Sequence, residues 1–99
     1  MDLFSEIIVS YDISNNKARK KLYDSLLDLG LLPIQKSVFW GRVLDAELKS
    51  IIDLFPMYVN SENDDSVFLT KTNLRKHWNK HSIGIPKDVF HHNEHYEII

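Results

Sequence analysis

From Ser5 to Ile13 the chain reads Ser-Glu-Ile-Ile-Val-Ser-Tyr-Asp-Ile. In an extended strand successive side chains point to opposite faces, so Ile7, Val9, Tyr11 and Ile13 share one side and Glu6, Ile8, Ser10 and Asp12 the other. The first side is apolar or aromatic throughout. The second carries Ile8 in its middle and ends in a carboxylate, which predicts a covered surface that must also hold a charge.

Beyond this strand the pattern changes period. Ser14-Asn15-Asn16 offers polar residues able to cap a helix, Ala18, Leu22, Leu26 and Leu29 recur at spacings of four, four and three, and Gly30 stands where a left-handed terminating residue belongs. Leu31-Leu32-Pro33 then turns the chain into Ile34 to Val43, whose β-branched and aromatic content predicts a tight pair of strands, broken near Gln35 to Ser37 or at Gly41. Asp45 reads as an N-cap, and Leu48, Ile51, Ile52 and Phe55 form a helical stripe expected to stop at Pro56. Met57 to Asp65 is a polar loop whose acidic run lacks the spaced ligands, glycine and terminal Glu of a calcium loop, so a solvated turn is expected. Ser66 to Thr72 is a further strand with apolar residues on both sides.

Strand, helix, strand pair, helix, strand is the order of an α+β, ferredoxin-like βαββαβ sandwich with an antiparallel sheet. Residues 1–72 make that core, and residues 73–99 are expected to be a C-terminal extension packing on the core, a dimer mate or a partner. Two helices cover one sheet face. The other still presents Ile8 and Phe68, with either Val38 and Trp40 or Phe39, and a second subunit is its simplest cover. Ile8, Ser10 and Phe68 are the expected dimer face.

At 99 residues there is room for one core, and the absence of cysteine removes disulfides, thiolate metal sites and cysteine nucleophiles. The amino terminus lacks a signal-peptide pattern, and no apolar run approaches the roughly 20 residues that span a bilayer. A cytoplasmic protein without membrane contact is expected. Net charge is -2, but four of the twelve Lys and Arg fall at Lys17, Arg19, Lys20 and Lys21. These crowd the first turns of a helix, where the dipole disfavours cations, so attraction to an external anion competes with a merely solvated basic face. His77 and His81 at i,i+4, and His91, His92 and His95 in the tail, have spacings that can bind zinc, yet a His-rich exposed segment is the commoner meaning. The terminal Ile98 and Ile99 are expected to dock or to add an edge strand.

With no GxSxG elbow and glycines only at 30, 41 and 84, nucleophilic triads and phosphate-binding glycine loops cannot be written. A hard-cation site at Asp12 remains, against the plainer role of a turn residue. Two-fold pairing of open sheet faces would bring one Asp12 from each subunit together. Their repulsion would favour a divalent cation able to polarise a phosphodiester and activate water.

Tyr11-Asp12-Ile13 closing the first strand, a basic helix ending in Gly30, Ile34-Gln35-Lys36-Ser37-Val38-Phe39-Trp40-Gly41, and Asp64-Asp65-Ser66-Val67 before the last core strand together resemble the CRISPR-associated protein two family, over about residues 6 to 72. The resemblance implies a ferredoxin-like homodimer in spacer acquisition, binding duplex DNA beside the CRISPR integrase, many members being magnesium-dependent (or manganese-dependent) endonucleases on duplex DNA or single-stranded RNA. It makes Asp12 the metal-binding and catalytic aspartate and Lys17, Arg19, Lys20 and Lys21 the candidate phosphate contacts, to which Arg42 is added as a further candidate. In many members an acid follows the Ser-Val-Phe segment; here Trp40 does, so no second catalytic acid is carried over. Alternatives are a scaffold without needed catalysis, a related ribonuclease toxin of the virulence-associated D type, and a ferredoxin-like ligand-binding module.

Overall fold

The computed structural model describes residues 3–91. Alternation at the amino terminus becomes strand β1, Phe4–Asp12, in which Ser5, Ile7, Val9 and Tyr11 are buried and their neighbours are not. Helix α1, Asn16–Asp28, starts where the Asn15 side chain accepts the Ala18 amide at 2.8 Å. It ends at Gly30, whose φ of +92° is open to a residue without Cβ.

Strands β2, Leu32–Gln35, and β3, Val38–Leu44, flank a turn at Lys36 and Ser37, so the first of the two expected break points is used. Gly41 instead lies inside β3 because Leu31 crosses it: a Cβ at position 41 would sit 2.9 Å from Leu31 Cγ.

Helix α2, Asp45–Tyr58, departs from expectation at both ends. Its N-cap is Leu44, whose amide is held by the Glu47 carboxylate at 2.9 Å. Asp45 is therefore the first helical residue, and its carboxylate accepts the Ser5 hydroxyl at 2.5 Å. Pro56 stands within the helix rather than ending it. In the last turn a proline forfeits only its own N–H bond, and the Val59 amide still reaches the Phe55 carbonyl at 2.9 Å. A 3-10 turn, Ser61–Asn63, and the left-handed Asp64 then lead into β4, Ser66–Lys71.

All strand pairs are antiparallel, in the order β2-β3-β1-β4. On one face Ile7, Val9, Phe39 and Val43 meet Leu22 and Leu26 of α1 and Ile51 of α2 in a single core. Complete burial of such side chains is worth about 1.5–3 kcal/mol each. Tyr23 packs edge-on to Phe39 with ring centroids 5.1 Å apart.

The other face is half covered by the chain itself. Helices α3, Trp78–His81, and α4, Lys87–His91, belong to the C-terminal extension. Phe90 of α4 meets Trp40 edge-on, centroids 5.0 Å apart, and both rings are buried. The Trp40 indole N–H donates to Glu6 Oε2 at 2.9 Å, and the same oxygen accepts the Arg75 amide at 2.9 Å. Residues beyond 72 thus cover the Trp40 half of this face, for which a second subunit was the simplest cover the sequence suggested, and leave Phe68 57% exposed on the other half. Ile98, Ile99, His92, His95 and the His91 side chain lie outside the described residues. Among the described residues no helix is long and apolar enough to cross a membrane.

Candidate nucleic-acid site

β1 runs through the middle of the sheet and delivers Asp12 to its carboxyl end, opposite Ser66 of β4. The Asp12 side chain is exposed and has no hydrogen-bond or ion-pair partner among the described residues. One pleat back, Ser10 pairs with Phe68 on one side and Val38 on the other, and Ile8 follows on the same face. Asp12 thus stands at the edge of the uncovered apolar half of the sheet.

The loop behind it is fixed by two side chains. Asp65, buried, accepts the Ser14 amide at 2.9 Å and hydroxyl at 3.1 Å through Oδ1, and the Asn60 amide at 3.1 Å through Oδ2. The two backbone amides, Ser14 first, hold its carboxyl below the usual carboxylate range, against the opposing effect of burial. Far from a purely solvated turn, the acidic run ends in a clasp between the β1–α1 connection and the loop before β4.

Arg19 closes the same loop from the other side. Its guanidinium donates to the Ile13 carbonyl at 2.9 Å and bonds the Asn16 side-chain oxygen. Burial pushes the nearby Tyr11 phenol upward, Tyr23 adds to this and Arg19 opposes it, so Tyr11 stays protonated across the physiological range.

The five cations named as phosphate contacts do not form one strip. Lys17 and Lys21 share a shallow groove with Tyr58 and Asn60, floored by Asp65. Lys20 pairs with Asp24 at 2.9 Å in solvent, and that hydrogen bond raises its pKa. Arg42 lies at the opposite end of the open face, level with Glu6, its guanidinium carbon 5.5 Å from the Phe4 ring centre. Six residues of strand separate Glu6 from Asp12, or about 20 Å. The rings of His77 and His81 stack with centroids 4.9 Å apart, and no group of three metal-ligating side chains occurs among the described residues.

Sequence reasoning missed Asp65 as the clasp behind Asp12 and Glu6 as an organiser of the open face. For Glu6 the available signal was its alternation with Ile8 and Ser10 on the face left for a partner; the acidic run held none that singled out Asp65.

This strand order, with two helices behind the sheet and an exposed acid at the carboxyl end of a central strand, defines a ferredoxin-like protein with a candidate nucleic-acid site. The family model of CRISPR associated protein Cas2 matches residues 5–80, and the chain belongs to that family. It is 40% identical over 90 residues to the CRISPR-associated endoribonuclease Cas2 1 of Francisella tularensis subsp. novicida (strain U112), covering 91% of each chain. It is 37% identical over 59 residues, 60% of this chain and 22% of the relative, to a CRISPR-associated endonuclease Cas1/endonuclease Cas2 fusion of Thermoproteus tenax. The crystal structure of Streptococcus pyogenes Cas2 superposes with a TM-score of 0.65 over 82% of this chain and 99% of that one, at 22% identity, a likeness of fold.

Proposed function

We propose that this chain works in CRISPR spacer acquisition as a homodimer that joins its open sheet halves, binds nucleic acid through phosphates and hydrolyses phosphodiesters at Asp12. The observation that carries this reading is the exposed Asp12 carboxylate, without a partner among the described residues, on the same face as half-buried Ile8 and the exposed ring of Phe68. A second copy docked there satisfies both at once: it removes Phe68 from water and sets a second Asp12 beside the first. The Cas1/Cas2 fusion relative supports an integrase partner, and the endoribonuclease name of the Francisella relative supports a nuclease.

The donor set fits magnesium, which commonly takes one or two carboxylates with waters and phosphate oxygens; the two Asp12 side chains would hold it. Bound there, the ion would relieve carboxylate repulsion, polarise the phosphodiester and lower the pKa of water. The chain's own part is to hold Asp12 still through the Asp65 and Arg19 contacts and to steer the polyanion with Lys17, Lys20 and Lys21.

One observation favours the scaffold reading instead. Trp40, where many members place an acid, is buried with its indole turned to Glu6, so position 40 adds no second carboxylate to Asp12. Incubation with duplex DNA and with single-stranded RNA, in magnesium and in chelator, separates the two. The catalytic reading expects magnesium-dependent cleavage that falls about a hundredfold or more in Asp12→Asn, the scale of several kcal/mol that a bound cation supplies. Wild-type protein that binds both nucleic acids and cuts neither leaves the scaffold.

A further inference from the structure

We infer that His77 and His81, in the first part of the extension, form a two-imidazole site for a divalent cation that prefers nitrogen ligands, zinc or copper, separate from the magnesium proposed at Asp12. Histidines four positions apart are neighbours on one face of a helical turn. That turn is made here: His77 caps α3, and the His81 amide donates to the His77 carbonyl at 2.8 Å.

Distance supports the pairing. Imidazoles that share one ion, each bound through a nitrogen at roughly 2.0–2.1 Å, have ring centres about 4.5–5 Å apart when the two bonds meet at or near a tetrahedral angle. The His77 and His81 ring centroids are 4.9 Å apart. The rings are stacked, at 26° to one another, so the backbone spacing is already that of a chelate and what remains is rotation of the rings about their side-chain bonds. Among the described residues neither imidazole has a hydrogen-bond or ion-pair partner, so no ring nitrogen has to be released first. His81 is exposed and His77 half-buried, which leaves an ion a way in.

The turn is also held from outside. Trp78, next to His77, donates its indole N–H to the Ile85 carbonyl at 2.6 Å, its ring centroid lies 6.5 Å from that of Phe90, and its own carbonyl accepts the Ser82 hydroxyl at 2.6 Å. In a free peptide the ion would have to order a single turn against the cost of helix nucleation. Here the turn stands before the ion arrives, so less binding energy is lost to ordering. Imidazole suits zinc, copper and nickel, whereas magnesium takes oxygen ligands, so the two sites divide cations by ligand type. Two protein nitrogens leave the other positions to water. The ion would bridge the first helical turn of the segment that roofs Trp40, and because a ligand of the folded form stabilises that form, it would tighten the roof.

The test has to separate this pair from the three histidines that follow it in the sequence. It therefore uses full-length protein carrying His91→Ala/His92→Ala/His95→Ala, with magnesium in excess, and follows tryptophan fluorescence while copper(II) is added. Trp78 adjoins His77, so copper held by the pair quenches it. Saturable quenching is expected, and it should weaken at least about tenfold when His81→Ala is added, since the second imidazole binds intramolecularly. His81 is exposed and alanine keeps its backbone bond to His77, so that variant leaves the fold alone. Zinc is expected to raise the melting temperature of the first protein and not of the second. Quenching that fails to saturate, that His81→Ala leaves unaltered or that excess magnesium abolishes overturns the site. A zinc effect absent from both proteins, or equal in both, does the same. No readout involves nucleic acid or cleavage, so the outcome is independent of the Asp12 reading.

Discussion

The Asp65 carboxylate receives the backbone amide of Ser14 from 51 residues earlier in the chain, at 2.9 Å. With the Ser14 hydroxyl and the Asn60 amide on the same side chain, it ties the exit of β1 to the entrance of β4. Because the position of Asp12 depends on that exit, the clasp belongs to the site although it faces away from it.

Replacing Asp65 with Ala should lower the melting temperature by several degrees and weaken Asp12-dependent activity as well. The carboxyl is held below its usual range in the folded state, so its contribution is complete above the unfolded carboxylate's value of about 3.9 and is lost as pH falls through the lower folded value. Thermal melts of wild type and Asp65→Ala should therefore differ by a constant amount from pH 5 to 8 and converge only in strong acid. Convergence near neutral pH would contradict the clasp.

Substitutions in the basic stretch should divide into two classes. Lys17→Ala and Lys21→Ala should leave stability alone and reduce the salt slope of duplex binding by about one unit each. Lys20→Ala should act in the same direction, since its exposed pair with Asp24 competes only weakly for it. Arg19→Ala should behave differently, lowering stability by roughly 1–2 kcal/mol through loss of its bonds to Ile13 and Asn16. Denaturant melts beside salt-dependent binding curves distinguish the classes.

Phe68→Arg should turn the proposed dimer into a monomer without disturbing the fold, because the ring is 57% exposed in the single chain. Sedimentation equilibrium provides the measurement. A variant as dimeric as wild type would move the subunit contact to another surface.

Gly41→Ala should cost about 1–3 kcal/mol, read from a denaturant midpoint. The added methyl would come within 2.9 Å of Leu31 Cγ and 3.3 Å of Leu31 Cα, and the second of these is backbone that cannot step aside.

What the sequence made readable was local. The alternation of β1 and the four-four-three stripe of α1 each lie within one element, and both reappear with the burial they imply. The break between β2 and β3 was readable only as a choice, since Gln35 to Ser37 and Gly41 both suit a turn; the decision rests on Leu31 crossing Gly41, a contact between elements. The same holds at the N-terminus of α2, where Asp45 is drawn to Ser5, 40 residues away. For the site, the pattern placed the Asp12 carboxylate at a strand end, on a surface expected to be covered, and the described residues leave it exposed. The burial of Asp65 could not be read from an acidic run in which each residue looks alike, and the anchoring of the extension on Glu6 joins residues 34 and 69 positions apart.

The buried indole of Trp40 bears on the proposed pairing of two copies. With half of the sheet already roofed by its own chain, two copies joined as proposed would have only the remaining half on which to meet, and would overlap in a staggered fashion, like offset bricks, instead of stacking sheet squarely on sheet. In that offset the roofed ends would project outward on opposite sides, away from the seam.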